Sequence, residues 1–333
     1  MAKQIILDIL NHKKTDRVPV GMWWHYTDPS EWGDKPGDEK RFERVFQGHL
    51  KYAKEAGLDL LKVMPDVYFV LPNLAGVDIL DEEQLKAVKP AAEDDLFFEE
   101  YVRLVKKLSE SLGEETAVFP TVFSPYYYLL YTQLGTTGKA YTEVELGQAV
   151  KKHPEAVKHA VDVIAQDLIR LSRRFLTEAG ATGIFYAVHN FNTITKVDYL
   201  NLFTPAERQI AEEIAAVNDN TILHVCGSLG KSNDFSYYAN YPYKALNYAV
   251  DNEKFSLGEA KEKFPDKVII GGFGRKPEDI IYTGNKEQLQ AETERLVKEA
   301  GRDRLIIGAD CSLNPEKMSN ERAAWIKEKA DTL

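Results

Sequence analysis

The chain has 333 residues, with 52 acidic against 42 basic side chains and a net charge of −10. That acidic surplus argues against a nucleic-acid partner, because phosphate backbones are gripped by basic stripes, but it leaves room for a small anionic substrate held by a few local arginines or lysines. With 44% hydrophobic and 28% charged residues, the composition is that of a globular protein able to bury a large core.

The N-terminal stretch MAKQIILDILNHKKTDR is amphipathic and reads as a helical extension. It is too polar for a signal peptide, and no apolar run reaches the about 18 residues that a membrane span needs. The expected location is therefore the cytoplasm, with no membrane partner.

Eight short apolar runs then recur along the chain: Val18–Trp24, Leu58–Met64, Ala117–Phe123, Thr182–Val188, Thr221–Cys226, Ala245–Val250, Val268–Phe273 and Leu305–Asp310. Several are continuous rather than alternating, as in VIIGGF and LIIGAD. Strands covered on both faces read that way, which predicts a parallel sheet with helical cover.

Helical patterns lie between the runs. FERVFQGHLKYAKEAG (Phe42–Gly57) ends on a glycine, a common helix stop. TPAERQIAEEIAAVN places Thr204 as an N-cap, Pro205 at the first helical position and Glu207 at the third, the layout of a capping box. NKEQLQAETERLVKEAG closes on Gly301. Eight strand–helix units predict one α/β domain over residues 1–333, a single (β/α)8 barrel, with a doubly wound sheet as the rival.

In such barrels the chemistry sits at the C-terminal strand ends. The first run delivers Trp24, His25 and Tyr26 there, the second Asp66, the third Tyr126, and the fourth Tyr186, His189 and Asn190. The seventh delivers Arg275 on a glycine-flanked loop. Asp66 and His189 are the candidate catalytic residues. Trp24, His25, Tyr26, Tyr126, Tyr186 and Arg275 are candidates for substrate binding. Plainer readings stand beside these: Asp66 as a turn cap, His189 as a satisfied core histidine, the aromatics as core, and Arg275 paired with Glu278 or Asp279.

The fifth run ends in His224 and Cys226. Alternate strand residues face the same way, so both side chains can point into the barrel mouth. Cys311, at the end of the eighth run, can reach across the shared axis. These are the chain's only two cysteines, and in a reducing compartment such a pair is free or metal-bound rather than disulfide-bonded. One nitrogen and two sulfurs suit Zn²⁺ with a fourth position open. Asp310 could orient a ligand or hold a turn, and Asp251 is a weaker candidate for the fourth ligand.

TDRVPV (Thr15–Val20), EAGATGIF (Glu178–Phe185), ILHVCG (Ile222–Gly227), VIIGGFGRKPEDI (Val268–Ile280) and IIGADCSLNP (Ile306–Pro315) resemble the uroporphyrinogen decarboxylase family in its broad sense. His-x-Cys-Gly with a late cysteine resembles the zinc signature of its corrinoid:thiol methyltransferase branch. That resemblance implies a zinc-dependent methyltransferase, taking a methyl group from a methylcorrinoid on a separate corrinoid protein to a small-molecule thiol. Homodimers are the family analogy.

The decarboxylase members carry an R-Q-A-G-R motif on the first strand. Met22–Trp32 holds no arginine at the matching place, a serious loss for a substrate with many carboxylates. The alternatives are a decarboxylase of a carboxylated substrate, for which MPD would supply Asp66, and a non-catalytic corrinoid or tetrapyrrole binder.

Overall fold

The computed structural model describes residues 1–189, 193–227 and 232–333. Asn190 lies outside them. Eight parallel strands form a nearly closed barrel with helices between them: β1 (Val20–Gly21), β2 (Leu60–Val63), β3 (Ala117–Phe123), β4 (Ile184–Val188), β5 (Thr221–Val225), β6 (Ala245–Tyr248), β7 (Val268–Phe273) and β8 (Leu305–Ala309). Their order is β1-β8-β7-β6-β5-β4-β3-β2, so β2 to β8 pair in sequence and β8 returns to β1, as a wound barrel requires. The doubly wound alternative is thereby set aside.

The strands are shorter than the apolar runs that announce them. Only two residues of the first run join a ladder, Val20 opposite Ile307 and Gly21 opposite Gly308. Trp24 then makes an isolated parallel bridge to Leu313. The β1–β2 seam is closed instead by Asp59. Its N–H donates to the Val20 carbonyl at 3.1 Å, and its carboxylate accepts from the Val20 N–H at 2.9 Å and from both terminal nitrogens of Arg17.

The N-terminal helix Ala2–Leu10 buries Ile6, Ile9 and Leu10. The segment covers the end of the barrel opposite the strand C-termini. Lys3 N–H bonds the Glu114 carbonyl just ahead of β3, and Asn11 accepts from Lys244 just ahead of β6.

The helix read as Phe42–Gly57 spans Glu39–Ala56, with Asp38 capping it and Gly57 in the left-handed region. The helix before Gly301 runs Lys286–Ala300 and carries a capping box from Asn285 and Gln288.

The helix at Thr204–Val217 corrects the sequence reading. It opens one residue earlier, after Phe203, and has no side-chain cap. Glu207 turns inward instead of closing a capping box. It is fully buried and accepts hydrogen bonds from the hydroxyls of Tyr199, at 2.9 Å, and Tyr241, at 3.0 Å. A helix-start pattern cannot register this use, because both tyrosines lie far from a local cap.

Burial raises the Glu207 carboxyl from its ordinary value to about 7, against hydrogen bonds from both tyrosines that pull it down. The folded chain therefore holds this proton more tightly than the unfolded chain does. Stability contributed by the protonated form is complete below about pH 4.5 and is lost as pH rises through about 7. Glu207→Gln should flatten that loss, by up to about 3 kcal/mol between pH 4.5 and 8. Urea unfolding across this range measures it, and a wild-type slope retained in the variant would place the titration elsewhere.

Candidate metal centre

His224 is the fourth residue of β5 and Cys226 follows the strand's end, so both project to the inside of the mouth. Cys311 comes two residues after β8. The three ligand atoms lie within 4.8 Å of one another, the one His/Cys/Asp/Glu group of this kind among the described residues. Cys226 Sγ is 3.9 Å from Cys311 Sγ, which is 3.8 Å from His224 Nε2. A tetrahedral Zn²⁺ sets such donors about 3.6–3.8 Å apart, so the donor chemistry and these two spacings fit.

The thiols share one hydrogen bond. The bond to Cys226, with His224 nearby, holds the Cys311 thiol well below its ordinary range. The bond to Cys311 and burial push the Cys226 thiol up.

Asn247 fixes the imidazole. Its Nδ2 donates to the carbonyls of Ile270 on β7, at 2.9 Å, and Ala309 on β8, at 3.0 Å. Both amide hydrogens are thus committed, so Oδ1 must accept, and it lies 2.6 Å from His224 Nδ1. The proton sits on Nδ1, leaving the Nε2 lone pair for a metal.

A cavity of about 450 Å³ opens above the triad. Its wall is aromatic: Trp32 stacks on Phe69 at 4.8 Å, Phe69 on Phe123 at 5.5 Å, and Phe123 meets Tyr127 at 4.8 Å. Lys62, buried in the middle of β2, also lines it. Burial lowers the Lys62 ammonium to about 8, with Cys311, Cys226 and Asp66 pulling the other way.

Of the substrate-binding candidates, His25 and Arg275 line this cavity. Arg275 is exposed at the rim and makes no ion pair to Glu278 or Asp279 among the described residues. Its charge reaches the thiols and lowers both.

The other candidates lie elsewhere. Trp24 packs on Tyr52 at 3.9 Å, and Tyr26 on His49 at 4.2 Å, both toward the Glu39–Ala56 helix. Tyr126 faces His189 and Phe203. Tyr186 points outward to the Glu207 carbonyl at 3.4 Å. These rings were indistinguishable in sequence because strand ends expose either face within one residue.

The catalytic candidates also sit behind the cavity. Asp66 is fully buried with φ of 36°, a left-handed position that aspartate tolerates better than most residues. It accepts from Tyr26 N–H at 3.2 Å and Thr27 Oγ at 3.3 Å and lies 3.0 Å from His25 Nδ1. It therefore shapes the β1 loop and places His25. His189 is packed between Tyr126 and Tyr127, 4.7 and 4.1 Å away. Burial first, then His224, lower its imidazole to about 3, so it stays neutral.

Asp310 holds turns, accepting from Gly272 N–H at 2.8 Å and Val250 N–H at 3.0 Å. Gly271, with φ of 153°, leaves room for that approach, since a Cβ there would lie 3.0 Å from the Asp310 carboxylate. Asp251 is turned away, paired with Lys276 at 2.9 Å.

Sequence reasoning passed over Lys62 and Asn247. Each is a polar residue inside a run that otherwise reads as strand core, and that mismatch was the available signal.

The uroporphyrinogen decarboxylase (URO-D) family model matches residues 1–329. The chain belongs to the uroporphyrinogen decarboxylase family. A uroporphyrinogen decarboxylase from Parasynechococcus marenigrum (strain WH8102) is 22% identical over 223 residues, 66% of this chain and 60% of that protein. The match thus spans less than two thirds of that relative.

Among solved structures, a methyltransferase from Methanosarcina mazei superposes with a TM-score of 0.75 at 16% identity, over 99% of this chain and 98% of its own. A B12-independent methionine synthase from Shewanella sp. W3-18-1 gives 0.59 at 13% identity, over 95% and 97%. At these identities the likeness is one of fold. No helix among the described residues is long and apolar enough to cross a membrane.

Asn247→Ala frees the His224 ring and removes its tautomer lock, so Zn²⁺ affinity should fall about 10–100-fold. Competition against a chromogenic chelator reads this out. Unchanged affinity would mean the ring is held by packing alone.

Proposed function

We propose that the chain is a zinc-dependent methyltransferase, moving a methyl group from a methylcorrinoid carried by a separate protein to a small-molecule thiol. The observation that carries this reading is the His224–Cys226–Cys311 triad. Its imidazole is oriented by Asn247 at 2.6 Å, and its open side faces the cavity.

His224 Nε2 and the two sulfurs would hold the metal. When bound, zinc supplies the Lewis acidity that keeps an acceptor sulfur deprotonated and nucleophilic. Asn247 keeps the Nδ1 proton in place throughout. The aromatic wall lowers the local dielectric along the cavity lining, which strengthens each charge there. Asp66 holds His25 at the entrance.

The name of the Parasynechococcus marenigrum relative favours a second reading, decarboxylation of a carboxylated substrate. Among the described residues, Lys62 and Arg275 are the lysine and arginine that line the cavity, few for a substrate bearing many carboxylates. Coproporphyrinogen formed from uroporphyrinogen at an enzymatic rate would establish that reading over ours.

Purified protein should carry about one zinc per chain, and methyl transfer from methylcobalamin to a panel of thiols should depend on it. Cys311→Ser should lower metal affinity by more than about 100-fold and abolish transfer. Cys226 and Cys311 should resist alkylation in the loaded protein and react after chelation, followed by mass spectrometry. Equal labelling in both states would leave them ordinary thiols and remove the basis of the proposal.

A further inference from the structure

Lys62 has no structural reason to carry a charge where it stands. It is 5% exposed. Its Nζ lies 4.5 Å from the Phe185 ring centroid and 5.5 Å from that of Trp23. Among the described residues no carboxylate pairs with it and no oxygen accepts a hydrogen bond from it. An ammonium taken out of water without an anion is expensive, and a methionine of similar length would fill the same space. The charge faces the cavity instead, where Cys311 and Cys226 exert the largest anionic influence on it and Asp66 a lesser one. Asp66 is already engaged by the loop from His25 to Thr27.

Charge balance gives this ammonium a task. A divalent metal held by two thiolates and a neutral imidazole is electrically neutral. Adding a sulfur ligand as an anion leaves one net negative charge in a cavity walled by aromatic rings. We propose that Lys62 is a specificity-determining residue whose ammonium offsets that charge, so that the open coordination position selects an anionic sulfur ligand over a neutral one. The ligand's S–H bond breaks and its proton leaves to solvent, while Lys62 keeps all three of its own. The ammonium form predominates below about pH 8, so the compensation is present at neutral pH. This inference rests on the metal-dependent reading given above.

The test compares two probes on the Co²⁺-loaded full chain at pH 7: 2-mercaptoethanol, which binds as an anion, and imidazole, which binds neutral. Visible absorption of the cobalt reports both. Lys62→Met should weaken the thiol by about tenfold or more while imidazole changes by less than about twofold, and Lys62→Arg should restore the thiol to within about threefold. Lys62→Gln takes the place of Lys62→Met if circular dichroism shows that variant unfolded. Thiol affinity unchanged by loss of the charge overturns the inference. Equal weakening of both probes also overturns it, since that is the mark of a merely structural lysine. A wild-type chain that takes up no Co²⁺ overturns the metal reading and this inference with it; charge-blind binding to a loaded site overturns this inference alone.

Discussion

The mouth of this barrel depends on one side-chain amide. Asn247 sits on β6, yet its hydrogens are spent on β7 and β8 and its oxygen on His224 of β5. An amide with both hydrogens committed to main-chain carbonyls cannot flip without losing two buried bonds. The imidazole opposite it therefore has one tautomer available. The strand that carries His224 and the strand that leads to Cys311 are tied together by the same group. Closing the barrel brings these strands to a common axis, and Asn247 turns that proximity into a fixed orientation of the His224 ring.

Around that centre, the buried acids work on the backbone rather than on a ligand. Asp59 closes the β1–β2 seam, Asp66 gathers the β1 loop, and Asp310 receives one N–H just past the end of β6 and one near the end of β7. Each sits where a parallel ladder stops and main-chain N–H groups would otherwise lack partners. The loops of the mouth need such acceptors because they leave the sheet on short connections. Among the described residues, this division leaves the two thiols, the His224 imidazole and the Lys62 ammonium lining the cavity.

The aromatic residues divide in the same way. Trp32, Phe69, Phe123 and Tyr127 form a continuous wall of the cavity. Tyr126 and Tyr186 serve the layer between barrel and helices. An apolar wall lowers the local dielectric, which raises the cost of any uncompensated charge inside and the value of a compensating one.

The sequence by itself determined the architecture and the grouping of the candidate metal ligands. Continuous apolar runs can be satisfied only by burial on both faces, and eight of them alternating with helices leave a barrel as the economical solution. His224 and Cys226 were legible because a strand's two-residue period puts them on one side, and Cys311 because it stood at another strand's end. Tertiary structure alone decided which rim residues face the cavity. Past the last ladder bond the two-residue period no longer holds, so Asp66 could turn into the protein and His25, its near neighbour in space, outward. It also decided that Glu207 serves two distant tyrosines rather than its own helix cap, and that Lys62 and Asn247 belong to the site. Their meaning comes from partners on other strands, and those partners meet only when the sheet has closed.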